Sequence, residues 1–154
     1  MNHKSLQEIY APKGVCFGCG CLNELGLQIK SFVKDDLIIA SWKSKKHHEA
    51  FPGVLNGGII GALLDCHSNW AAAYFLMLDK NLNETPCTVT ADFSIKLKRP
   101  TPSDSMLFLS ARLDKINKKV ATIKAELVSG NRVCATCFGT FVSVGPNHPA
   151  YHRW

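Results

Sequence analysis

Nothing in the 154 residues reads as a targeting or membrane segment. The opening MNHKSLQEIYAPKG lacks the apolar core of a secretory signal, and the longest apolar run is broken in its middle by Asp65, His67, Ser68 and Asn69. A cytoplasmic location without membrane contact is the expectation. Internal repeats and low-complexity tracts are also missing, as is any motif in which basic residues interleave with aromatics to read nucleic acid. Acidic residues are in the minority, 12 against 18 lysines and arginines, and the net charge of +6 suits a polyanionic partner. A phosphorylated small molecule fits better than nucleic acid. The seven cysteines are an odd count without a secretory signal, which argues against a disulfide framework and for free thiols in a reducing compartment.

What is present is ample core material. Hydrophobic residues make up 46% of the chain, and chains of about 100 to 200 residues usually form one domain. Residues 1–26 read as an irregular segment rich in glycine and cysteine, 27–146 as the folded domain and 147–154 as a tail. In GLQIKSFV, apolar Leu27 and Ile29 alternate with Gln28 and Lys30, the mark of a half-buried strand. LIIASW (37–42) pairs with it across the Lys34-Asp35-Asp36 turn, and the polar stretch KSKKHHEAFPG follows. From Gly57 to about Leu78 the chain predicts a helix of roughly six turns that is apolar almost all round and therefore buried on most sides. Four strands are expected at 87–98, 105–115, 119–128 and 132–144, with turns at Arg99-Pro100-Thr101-Pro102, Asn117-Lys118 and Gly130-Asn131. The order β-β-α-β-β-β-β predicts an α+β fold, a curved antiparallel sheet of about six strands wrapped around one long helix.

Asp65 lies in the middle of that apolar helix. A buried carboxylate has to be hydrogen-bonded, neutralised or functional. Satisfaction by Ser68 or Asn69, one turn on, and a catalytic role both remain open. Gly57 and Gly58 start the same helix, where free N–H groups and the helix dipole suit a developing negative charge. Eight residues of helix place Gly57 and Asp65 about 12 Å apart. One substrate carbonyl reaches both only if two antiparallel helices from two copies of the chain face each other.

Four segments, CFGCGCLNELGLQI (16–29), FPGVLNGGIIGALLDCHSNWAA (51–72), VTADFSIKLKRPTP (89–102) and ATCFGTFV (135–142), resemble the PaaI-type branch of hotdog acyl-coenzyme A thioesterases. The resemblance implies a hotdog fold, a homodimer or homotetramer, and hydrolysis of an acyl-coenzyme A thioester with no cofactor beyond the coenzyme A of the substrate. It also implies that the Gly57 N–H polarises the thioester carbonyl, that Asp65 attacks it or activates a water, and that Thr90 assists. In that family a histidine precedes the two glycines; here Asn56 stands there, able to hydrogen-bond but not to gain a proton near neutral pH. His48 is the candidate for a further upstream polar contact that relatives often make with asparagine, where this chain has Ala50.

Gly58, Ser68 and Asn69 are expected to contact substrate beside the catalytic set, and Lys96, Lys98 and Arg99 to meet the coenzyme A phosphates. Cys16 and Cys19, with Cys21, sit in a loop where a metal site is conceivable, while Cys134 and Cys137 fall on opposite faces of a strand; packing is preferred to metal for both pairs. Two other functions compete. A hydratase or dehydratase needs a histidine beside the acid, and His67 lies on another helical face than Asp65. A catalytically weak acyl-coenzyme A binding protein is the other, because of Asn56.

Overall fold

The computed structural model describes residues 4–152. A five-residue helix, α1 (Leu6–Tyr10), is started by a capping box in which Ser5 and Glu8 satisfy each other's backbone N–H groups. Strands β1 (Phe32–Lys34) and β2 (Leu37–Lys43) follow, then a 3-10 turn (Lys46–His48) and a small hairpin of β3 (Glu49–Phe51) and β4 (Val54–Leu55). The long helix α2 (Gly57–Asp79) precedes β5 (Thr88–Leu97), β6 (Met106–Asn117), β7 (Val120–Ser129) and β8 (Arg132–Ser143).

Six strands form one antiparallel sheet in the order β1-β2-β6-β7-β8-β5. Period-two alternation turns one face of it inward. On β7, Ala121, Ile123, Ala125 and Leu127 are buried while Lys124 and Glu126 are exposed. Leu107, Leu109 and Ala111 on β6 and Ala135, Cys137 and Phe141 on β8 join the same core. Helix α2 lies across this face, touching β2, β5, β6, β7 and β8. The architecture is the expected hotdog arrangement, a long helix wrapped by a curved sheet.

The structure departs from the sequence reading in three places. The first strand pairs only over Phe32–Lys34, because the N–H groups of Leu27 and Ile29 donate to the carbonyls of Phe17 and Gly18 in the N-terminal loop. Both side chains are buried, so the alternation is real, but its partner is a loop. Residues 1–26 are not irregular throughout, since α1 forms there. The polar stretch before α2 holds the β3–β4 hairpin, whose side-chain pattern is too short to signal itself.

One polar group buried with α2, His67, is satisfied from outside the helix. His67, fully buried, receives the Ser31 hydroxyl at Nδ1 (2.9 Å) and donates from Nε2 to the Ile38 carbonyl (3.0 Å). A carbonyl only accepts, so Nε2 carries a proton, and full burial, which disfavours the charged ring, leaves Nδ1 as the acceptor. Gln7 in turn donates to Ser31 Oγ (3.1 Å) and accepts the Ser31 N–H (2.9 Å), tying α1 to the same network.

Burial pushes the His67 pKa down to about 4, against an opposing contribution from the Ile38 carbonyl. The unfolded chain therefore binds a proton that the folded one refuses, and stability should fall as pH drops from about 6.5 towards 4. The loss attributable to this group should be about 3 kcal/mol. Urea denaturation of wild type and His67→Gln across that range checks it; equal pH slopes for the two would remove His67 as the cause.

Candidate active site

Asn56 caps α2, its side-chain oxygen accepting the N–H groups of Gly58 (2.8 Å) and Ile59 (3.3 Å). The Ile60 N–H goes to the Asn56 carbonyl. Among the described residues the Gly57 N–H has no acceptor, which leaves one oriented donor at the positive end of a 23-residue helix. Asn56 is itself fixed by its N–H, which donates to the His48 carbonyl (3.0 Å). The His48 ring is turned the other way, packed on Trp42 and accepting the Lys45 N–H at Nδ1. His48 thus reaches the helix start through its backbone.

Asp65 is two turns along. Thr90, near the start of β5, donates its hydroxyl to Asp65 Oδ1 at 2.7 Å. Neither Ser68 nor Asn69 satisfies this carboxylate, contrary to the purely local option: Ser68 is fully buried towards Cys137, and Asn69 leaves a buried side-chain oxygen without a partner. Burial raises the Asp65 pKa, opposed by the Thr90 hydrogen bond and reinforced by the nearby Cys16. A cavity of about 220 Å³ opens beside it, lined by Asp65, Asn69, Trp70 and Thr90 and by the loop carrying Cys16 and Cys19. A carboxylate held on one oxygen, beside a cavity, with its proton affinity raised, is equipped to take a proton or attack a carbon.

The remaining candidates divide. Leu97 at the end of β5 lies against Gly57, where an added Cβ would come within 3.2 Å of its Cδ1, so the exposed Lys98 and Arg99 follow directly after a contact with the helix start. Lys96 points to the opposite face of the sheet, sharing a groove of about 350 Å³ with Ser94, Arg112, Lys124 and Phe138. The strand's two-residue period separates it from the helix. Cys21 leaves the cysteine group, its sulfur facing Lys30 Nζ (3.1 Å). Cys66, which sequence reasoning passed over, takes its place: the Sγ atoms of Cys16, Cys19 and Cys66 all lie within 4.8 Å of one another. Only the fold brings position 66 to that loop. Cys134 and Cys137 are both buried, Cys134 falling where the β7–β8 register shifts.

Residues 52–136, more than half of the chain and including Asp65 and Thr90, match the family model of the thioesterase superfamily. The chain belongs to that superfamily. Among solved structures, this thioesterase-superfamily chain is similar to a thioesterase superfamily protein from Shewanella loihica PV-4, with 26% identity, TM-score 0.65, and coverage of 76% of this chain and 91% of that one. A thioesterase from Haemophilus influenzae shares 18% identity at TM-score 0.67, covering 81% and 84% of the two chains. The PaaI protein of E. coli, from the phenylacetic acid degradation operon, shares 16% at TM-score 0.65, covering 77% and 81%. A search of the curated proteins finds no significant sequence match. Thioester hydrolysis is the general activity that membership supports. Among the described residues no helix is long and apolar enough to cross a membrane.

Thr90 lowers the Asp65 pKa while burial raises it, so the two effects separate by mutation. Asp65 should titrate above an ordinary aspartate, and higher still in Thr90→Val. Carboxyl carbon NMR titration reads both; an Asp65 indistinguishable from a surface aspartate would remove burial as the governing effect.

Proposed function

We propose that this protein hydrolyses acyl-coenzyme A thioesters, with Asp65 as base or nucleophile and the Gly57 N–H as donor to the carbonyl oxygen. The observation that carries the reading is the half-buried Asp65 carboxylate, held by Thr90 at the mouth of a cavity, in a chain of the thioesterase superfamily. Polarisation by an oriented N–H at a helix start suits the charge that develops on the thioester oxygen. Coenzyme A enters as part of the substrate, and these steps require no separate cofactor. Lys98 and Arg99, next to the helix start, are the contacts proposed for its phosphates, with Lys96 from the outer face; Gly58 and Asn69 line the approach. A hydratase reading is disfavoured because His67 is occupied between Ser31 and Ile38.

The active unit is a homodimer in which α2 faces its copy. Support comes from the strip of exposed Gly58 and partly buried Gly61, Ala62 and Asp65, spaced to share one helical face. Nothing lies within 4 Å of a Cβ built on Gly61, so a second backbone can approach closely. On the flanking edge strand β5, Phe93 and Leu97 are also exposed. Phe108 and Phe138, exposed on the outer face of the sheet, support further assembly to a homotetramer.

Asp65→Asn should lose at least about a hundredfold in turnover while the fold persists, since it keeps the shape and removes the base. Free-thiol release from a panel of acyl-coenzyme A substrates measures it. A well-folded variant with most of its wild-type rate would reduce Asp65 to a structural residue.

The shared-site arrangement has its own test. Gly57→Pro removes the N–H at the first helical position, where proline fits, and Asn56 is already extended as a residue before proline must be. Mixed with Asp65→Ala after subunit exchange, the two inactive variants should recover about a quarter of wild-type activity, because about half the dimers are mixed and each has one intact site of two. Mixed dimers without recovered hydrolysis would place both groups of a site in one chain.

A further inference from the structure

The segment Cys16-Phe17-Gly18-Cys19-Gly20 folds over α2 at Cys66 and presents more to these sulfurs than thiol packing requires. Cys16 Sγ and Cys66 Sγ are 3.8 Å apart. Zinc–thiolate bonds of about 2.3 Å meeting at a tetrahedral angle put sulfurs about 3.8 Å apart. Cys19 Sγ completes a group of three within 4.8 Å. An N–H donor is aimed at the same group, Trp70 Nε1 on Cys19 Sγ at 3.3 Å. Such donors favour the anionic thiolate over the neutral thiol.

The loop is also built to bring the sulfurs together. A Cβ on Gly18 would stand 2.3 Å from Cys66 Sγ, and one on Gly20 would stand 2.4 Å from the Cys16 nitrogen, so no side chain fits at either position. The hydrogen bond from the Gly20 N–H to the Cys16 carbonyl (2.8 Å) closes the turn. Three sulfurs held this close, by a loop that admits no side chain at Gly18 or Gly20, match the donor set of a thiolate-bound dication.

We propose that Cys16, Cys19 and Cys66 form a three-thiolate site for a soft divalent cation, zinc, that clamps the N-terminal loop to α2. Each thiol that ligates gives up its proton on binding. Among the described residues no carboxylate or imidazole joins the group, and all three cysteines line the Asp65 cavity, from which a fourth ligand can enter. The site is independent of the hydrolysis reading, because its ligands are none of the groups assigned to that reaction.

The test uses Co²⁺ as a spectroscopic substitute in reduced, metal-stripped protein under anaerobic conditions. One equivalent per chain should produce the near-ultraviolet thiolate-to-cobalt charge-transfer band and the visible bands of tetrahedral cobalt, and one equivalent of Zn²⁺ should abolish both. C16S and C66S should each lose the charge-transfer band or reduce it by about a third, the share of one thiolate in three. C21S and C134S should leave it unchanged. Zn²⁺ should raise the melting temperature of wild type and not of C16S, whose sulfur lies in an exposed loop position that need not disturb folding. No charge-transfer band in well-folded wild type, or an unchanged band in C66S or C16S, would overturn the site and leave the three residues as packed thiols.

Discussion

Covering α2 is the constraint on which the rest of the structure depends. Leu63, Leu64, Ala71, Ala72, Ala73 and Leu76 are all fully buried, so the helix cannot rest one face on a sheet and turn the other to water. Each leucine contributes about 1.5 to 3 kcal/mol when removed from water. A six-stranded sheet covers much of the circumference by curving around it. The N-terminal segment covers more, with Leu6, Ala11, Leu27 and Ile29 in the same core. What stays only partly covered is the strip that begins at exposed Gly58 and runs to Asp65.

That division explains where polarity is tolerated. His67 faces the covered side and is neutral, each nitrogen matched to a partner of the right kind. Asp65 faces the border between the sheet edge and the N-terminal loop, where one oxygen is held by Thr90 and a cavity reaches the group. Two residues of one helix, two positions apart, thus have opposite fates. The first network stabilises the fold; the second leaves one carboxylate oxygen facing the cavity, as the proposed reaction needs.

The proposed catalysis and assembly both draw on this strip. A free N–H at the helix start and a carboxylate two turns later cannot serve one small carbonyl within a single chain, since about 12 Å of helix separates them. Small residues between them permit a second helix to come close, and the proposed homodimer would set the two kinds of group opposite each other across a twofold axis. The cysteine loop borders this region, so anything that stiffens it also stiffens one wall of the Asp65 cavity.

Long-period patterns were legible without coordinates. The alternation of β7, the apolar run of α2 and the turns at Asp35, Lys118 and Gly130, all of which adopt positive φ, are local properties, and local sterics and hydrophobic periodicity determine them. Asp65 and Gly57 stood out for the same reason, a charge and a glycine pair that an apolar helix does not need; Thr90 was legible only through the family resemblance. Contacts between distant segments were decided by the tertiary structure alone. Leu27 and Ile29 pair with a loop instead of a strand, Thr90 and not Ser68 or Asn69 holds Asp65, and Cys66 and not Cys21 completes the sulfur group. Alternation records which side of the chain is buried but not what buries it. The partner of a side chain depends on how the intervening residues route the backbone, and no spacing along the sequence encodes that route.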